Sequence, residues 1–416
     1  MTPTSYDVRA AEAIAARDHT IPAEYLLPKS AYPLPSNVTT VLAASGFLRS
    51  LDMEIISWSA TQLRDLIATS RYTAVQAVSA YIKSAAIAQQ TTNCLVEMFA
   101  DEALERAQWL DAELQRTGEV VGPLHGVPIS VKVSATSCAE AYPTEDHVSV
   151  KDHDSPSGFL SLVGKSMGKE DAHLVRLLRE SGAVLYVRIL GSHGPMARSV
   201  DDLELYMTVI LAGKPWLSDP TLSPRPWAPS SNAGRKLRIG VLYDDGVVKP
   251  VAPIRRALEA SIEKLRTVDK FEIAEYKPFK SDEAWETISS LYWPDAGAVL
   301  DSHLQAAAEP MHPLTKWIIS WSKGIQMSAE QQRTYTSYWN LANYPAAVLP
   351  TGLTVDVDLD REVVSNPRNE FEEYVYAMYD AAQSAGAPLS LQVIGYAYHD
   401  EQVIDALRQV DEVLRG

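Results

Sequence analysis

The side chain best placed for chemistry is Lys132, the last residue of Gly122-Pro123-Leu124-His125-Gly126-Val127-Pro128-Ile129-Ser130-Val131-Lys132. A lysine held at the end of a half-buried strand loses hydration. Its pKa falls, and the neutral amine becomes a base at physiological pH. A lysine that ends an ordinary surface strand does none of this. Two other groupings carry suitable residue types. Ser192 stands next to His193, but neighbours on extended backbone point to opposite sides and no Gly-x-Ser-x-Gly elbow surrounds them. Asp146-His147 and Asp152-His153-Asp154 lie close together in sequence. Their spacing fits neither a helical His pair nor a Cys/His ligand set, so they read as a solvated polar loop and no metal is expected.

The elements that would position Lys132 are legible. Two glycines and two prolines bend the chain before it, and Val127, Ile129 and Val131 then alternate with Ser130 and Lys132, the period of a strand with one buried face. Ser59 with Gln62, and Thr73 with Gln76, fit capping boxes that open helices; the second runs over 74–90 with Val78, Tyr81, Ile82 and Ala85 on one face. A helix is expected over 101–116. An amphipathic helix from Asp171 to Ser181, stopped by Gly182, leads into a nearly continuous apolar strand from Ala183 to Leu190. Ser199 with Asp202 caps the next helix. Leu237–Tyr243 reads as a buried strand, 253–266 as a helix with Pro253 in its first turn, and 271–277 as an edge-like strand. Helices dominate to about 343, and a strand over 392–394 and a last helix close the chain. Strands alternating with helices give an α/β class with a mainly parallel sheet. Residues 1–58 read as an N-terminal arm and helix and 59–416 as a single α/β domain, with the Pro-rich stretch 215–230 as a surface crossing.

Bulk properties narrow the partners. The 416 residues are 46% hydrophobic, enough for a sizeable core, and carry a net charge of -16. Such a charge disfavours nucleic acid and anionic membranes. Cys94 and Cys138 form no disulfide framework, the first residues have no apolar signal core, and no apolar run is long enough for a bilayer. The expectation is a cytoplasmic protein.

The lysine stretch resembles the lysine motif of the amidase signature family, and within it the fungal acetamidase-like branch. Further blocks resemble that branch in the family's order: Ala85–Cys94, Gly194-Pro195-Met196-Ala197-Arg198-Ser199-Val200-Asp201-Asp202-Leu203, and Gly386-Ala387-Pro388-Leu389-Ser390-Leu391-Gln392-Val393-Ile394-Gly395. The resemblance implies a mixed β-sheet core between helical layers. It implies hydrolysis of a small-molecule carboxylic amide to acid and ammonia or amine, without a cofactor. In the family the lysine is the base, a bridging serine in a cis peptide relays the proton, a second serine attacks, and a Gly-rich turn binds the oxyanion. Only Lys132 answers to that set here.

Three departures follow. Between Leu190 and Gly194 stand only Gly191, Ser192 and His193, where the family has on the order of ninety residues, including both serines and the oxyanion glycines; this exceeds a shortened loop. The fold is therefore expected to be truncated in its centre, near 190–191. After Lys132, residues Val133–Glu145 interrupt the family's register, which closes if they are removed, so that Val150–Phe159 falls in line. The insert begins Val-Ser and ends in Glu, which codons of an intron's ends can spell. An unspliced intron and a genuine family-specific loop both fit, and either way the insert is expected to be loosely packed. Between Ser328 and Tyr335 part of a helix and strand is missing before Asn340–Ala346. Three readings remain: an amidase-type hydrolase by descent with its activity in doubt, a non-catalytic relative that binds a ligand or partner beside a metabolic pathway, and a truncated gene product. The lost segment should leave Val184, Leu185, Val187, Ile189 and Leu190 partly in water. Local collapse, a homodimer or aggregation would then cover them.

Overall fold

The computed structural model describes residues 6–132, 149–156, 158–189, 194–230, 235–246, 248–281, 283–284, 287, 295–320, 335–361 and 366–416. The chain folds as two compact units: Met1–Trp227 with Ala298–Met311, and Ala228–Gly297 with His312–Gly416. The chain passes from the first to the second within the Pro-rich stretch.

The first unit begins with α1 (Tyr6–Asp18), the one-turn α2 (Val41–Ala44), α3 (Ser50–Ser57), α4 (Ala60–Ala68) and α5 (Ala74–Thr92). Both capping boxes form: Ser59 accepts from the Gln62 N–H and Thr73 from the Gln76 N–H, and each glutamine returns a bond. Asp111 reinforces the start of α5, accepting from the Ala74 and Val75 N–H groups at 2.7 and 3.0 Å, where the helix dipole favours a carboxylate. Helix α5 is buried on more than the single expected face, because α3, α6 and a sheet all pack on it. Even Lys83 is buried, held 2.8 Å from Asp52 of α3. Gln90 holds the N-terminal arm, accepting from Leu27 N–H and donating to Tyr25 O.

Strand β1 (Leu95–Met98), α6 (Ala100–Thr117), β2 (Pro128–Lys132), α7 (His173–Glu180), β3 (Val184–Ile189) and α8 (Val200–Ala212) follow, and α10 (Ala298–Ala307) returns to this unit. The sheet order is β1-β3-β2, with β3 antiparallel to β1 and parallel to β2. Helices α5 and α6 and helix α7 pack on β3. The expectation that the strand would be left in water fails for Val184, Leu185 and Val187. All three are buried, in cores shared with α5 and α6 on one side and α7 on the other. Leu190 lies outside the described residues.

In the second unit β4 (Leu237–Val241) runs parallel to β5 (Phe271–Glu275), and β6 (Ala346–Thr354) pairs antiparallel with β7 (Pro388–Ile394). Helices α9 (Ala252–Arg266), α11 (Pro313–Ser320), α12 (Tyr335–Leu341), α13 (Glu370–Met378) and α14 (Asp400–Arg415) complete it. Strand β4 corrects the expectation of full burial. It alternates, with Arg238 and Gly240 exposed, because it has only β5 beside it among the described residues. The fold class is α/β, as expected.

Candidate functional site

The turn before Lys132 is built by close backbone approach. Leu124 N–H donates to Ser181 O and Gly126 N–H to Gly182 O, at 2.8 and 2.9 Å, so the turn locks onto the α7–β3 connection. Gly126 and Gly182 both have positive φ, and a Cβ on Gly182 would sit 2.8 Å from the His125 Cα. No side chain fits there. His125 is fully buried. Its Nδ1 accepts from the Val121 N–H at 3.0 Å, which leaves the proton on Nε2, and burial pushes its pKa down. The motif histidine is thus a neutral brace for the turn.

Strand β2 then delivers Lys132, half-buried and in register with Ile189. The preceding pair is Val131 and Arg188. Registered residues of parallel strands share a face and successive residues alternate, so Lys132 and Arg188 lie on opposite faces of the sheet. Ser192, His193, Asp146, His147, the insert Val133–Glu145 and the stretch Ser328–Arg333 lie outside the described residues.

Arg188 belongs to a polar cluster that sequence reasoning missed. It is 0% exposed, next to last in an otherwise apolar strand. Its guanidinium meets Glu97 of β1 at 3.1 Å and also donates to Asp154 O and Ser155 Oγ. His153 adds to it. Its Nδ1 lies 2.9 Å from Glu97 Oε1, its Nε2 lies 3.0 Å from Glu102 Oε1, and its ring packs on Phe99. The Asp154 carboxylate accepts from Gly164 and Ser166 N–H groups. The solvated-loop reading of Asp152-His153-Asp154 therefore fails for His153 and Asp154, which are pinned to the sheet and to the returning strand segment. The signal was available: Glu97 and Arg188 each break an apolar run, and each needs a partner.

The Gly194–Leu203 block has a structural job. Ser199 caps α8, and Asp202 accepts from both the N–H and Oγ1 of Thr61 at 2.8 Å, tying α8 to the start of α4. In the second unit the Gly386–Gly395 block closes the β6–β7 pair through Gly386 N–H to Val355 O. Among the described residues no group of three His, Cys, Asp or Glu side chains could hold a metal ion, and no helix is long and apolar enough to cross a membrane.

Lys132 thus ends a parallel, partly buried strand that is entered through a glycine-locked turn. The amidase family model matches residues 76–189 and 188–324, and the chain belongs to that family, in its fungal acetamidase-like branch. A Schizosaccharomyces pombe protein with a provisional amidase designation is 28% identical over 541 aligned positions, covering 97% of this chain and 98% of that one. The acetamidase of Emericella nidulans is 24% identical over 561, covering 99% of each. Both alignments are longer than the chain's 416 residues, so both pass through positions that this chain lacks. A fatty acid amide hydrolase structure superposes with a TM-score of 0.86 at 24% identity, over 98% of this chain and 94% of that one, a likeness of fold.

Proposed function

We propose that this chain descends from hydrolases that cleave small carboxylic amides, and that it keeps their lysine strand while lacking serine-dependent turnover. One observation carries the reading: the family match breaks and resumes at residues 188–189, and only four residues separate Ile189 from the Gly194 block. A lysine base alone supplies neither a nucleophile nor donors for an oxyanion. Loss of a single oxyanion donor already costs about 10²–10³ in rate.

The surviving scaffold favours a second reading, ligand binding without turnover. The turn at 122–127, the β2–β3 pairing and the Asp202–Thr61 tie are all intact, and they would hold Lys132 in place for an amide or another polar ligand. The test is an assay of the purified chain with acetamide, benzamide and longer amides, together with a serine-reactive fluorophosphonate. The expected outcome is no turnover above that of Lys132→Ala and no labelled serine. Hydrolysis that disappears in Lys132→Ala, or labelling of one serine, overturns it. Thermal shifts by the same amides, lost in Lys132→Ala, would mark binding. Transcript sequencing across codons 133–145 and 190–191 separates an altered message from an altered protein.

A further inference from the structure

His153 sits between two carboxylates, one on each ring nitrogen. Glu97 comes from β1 and Glu102 from the first turn of α6. Arg188 of β3 faces Glu97 from the far side and fixes it, while Glu102 is largely exposed. The His153 ring lies 4.3 Å from Phe99, centroid to centroid. On its own segment, Asp154 is occupied by the Gly164 and Ser166 N–H groups and Lys151 N–H donates to Asp171. A neutral imidazole has one N–H and one lone pair, and so can donate to only one of these carboxylates. Both contacts are attractive only in the doubly protonated ring.

The segment so held is the one that follows Ser149. It pairs back on residues 166–168, with Asp152 N–H on Gly168 O, Ser155 N–H on Ser166 O and Gly168 N–H on His153 O. Gly168 is required there, since a Cβ would lie 2.3 Å from Val150 O. Arg188, one residue from the partner of Lys132 in the sheet, grips the same segment at Asp154 O and Ser155 Oγ.

We propose that His153 is a proton-operated latch, which clamps residues 149–156 to β1 and α6 while it bridges Glu97 and Glu102 and frees Glu102 and the outer part of the segment when it can donate to Glu97 alone. The two bridging carboxylates, Glu97 foremost and against the opposing effect of burial, raise the His153 pKa above the ordinary value. The sign follows. A group raised on folding adds stability below its unfolded pKa and loses that contribution as pH rises through its folded pKa. The latch is closed in acid and opens toward alkaline pH.

Two measurements on the full chain test this: imidazole NMR of His153, and amide-exchange protection of Asp152, Ser155 and Gly168, each from about pH 5 to about pH 9. His153 should titrate above about 6.5, and protection at those three amides should fall about tenfold or more through the same midpoint. Glu102→Gln, at an exposed position that folding tolerates, should lower the midpoint and flatten the protection step. Glu105→Gln, exposed on the same helix, should change neither. An imidazole that titrates at or below the ordinary value, protection that stays level across its titration, or a Glu102→Gln variant that behaves as the parent would each overturn the latch.

Discussion

Strand β3 in the first unit and strand β6 in the second are both rich in apolar residues, and they fare differently. β3 lies between β1 and β2, with α5 and α6 on one side and α7 on the other, and it keeps Val184, Leu185 and Val187 out of water. β6 has only β7 beside it among the described residues and helices α9 and α14 packed on the pair. Its residues alternate, Leu349 and Thr351 buried, Val348 and Pro350 exposed. The difference teaches that a strand's composition states what it can tolerate, while its neighbours decide what it buries. A strand that looks apolar on both faces keeps its burial wherever helices still cover it, even next to a break in the family pattern.

The largest test of that contrast replaces an arginine in each unit. Arg188→Met removes the buried guanidinium that satisfies Glu97, Asp154 O and Ser155 Oγ, and leaves those acceptors without it. Breaking a buried ion pair from one side costs about 3–5 kcal/mol. Arg238→Met in β4 removes a side chain that is 82% exposed and 3.5 Å from Glu272, where the effect should stay within about 0.5 kcal/mol. Urea unfolding of the two variants reads this directly. Equal losses at both positions would mean that the polar cluster around β3 carries no special weight.

Much of the first unit was legible because local signals and tertiary fate agree there. The boxes at Ser59 and Thr73, the αL stop at Gly182 and the period-two run from Val127 are satisfied by residues a few positions away. Lys132 was legible as a strand end for the same reason. What escaped depended on partners far along the chain. Arg188 needs Glu97, ninety-one residues earlier, and Asp202 needs Thr61, 141 residues earlier. His153 looked like a loop residue because both carboxylates that hold it come from other elements. β6 escaped because Pro350 within it argues against a strand, although proline is tolerated where only one neighbour pairs.

Acid sharpens the comparison from the other unit. Burial opposes ionisation of Glu372, but Arg368 and the Arg368 and Lys249 N–H groups overcome it and hold the carboxyl at about 2. A carboxyl lowered on folding adds stability above its unfolded pKa and loses that contribution as pH falls through the folded one. The second unit should therefore weaken as pH drops from about 4.5 toward about 2, with Glu372 contributing on the order of 3 kcal/mol at neutral pH. Glu372→Gln should lower stability by about that amount at neutral pH and flatten the acid limb in this window. In the first unit burial likewise opposes ionisation of Asp52, but Lys83 and the Arg49 N–H together overcome it and hold the carboxyl below the usual range, so Asp52→Asn should affect the acid limb of that unit. An acid limb unchanged by Glu372→Gln would place the acid-sensitive group elsewhere.

The last test makes one conservative change in both sheets, Val→Thr. The side chains have nearly the same shape, so neither variant leaves a cavity, and the change in free energy reports the hydroxyl alone. Val187 is 1% exposed, packed in the core shared by α5 and α6. A hydroxyl there leaves water for an apolar surround, which costs about 1–3 kcal/mol unless it finds an acceptor. Val187 is shut off from solvent, so a cost within that range is expected for Val187→Thr. Val348 is 63% exposed on the open side of the β6–β7 pair. Threonine is at home on such a surface, and Val348→Thr should shift stability by less than about 0.5 kcal/mol. It also removes apolar area from the side that no described helix covers, so the variant should be no less soluble than the parent. Paired thermal unfolding and size-exclusion measurements decide it. A substantial loss at Val348, or a change in its oligomeric state, would show that this exposed side is covered in solution by another molecule.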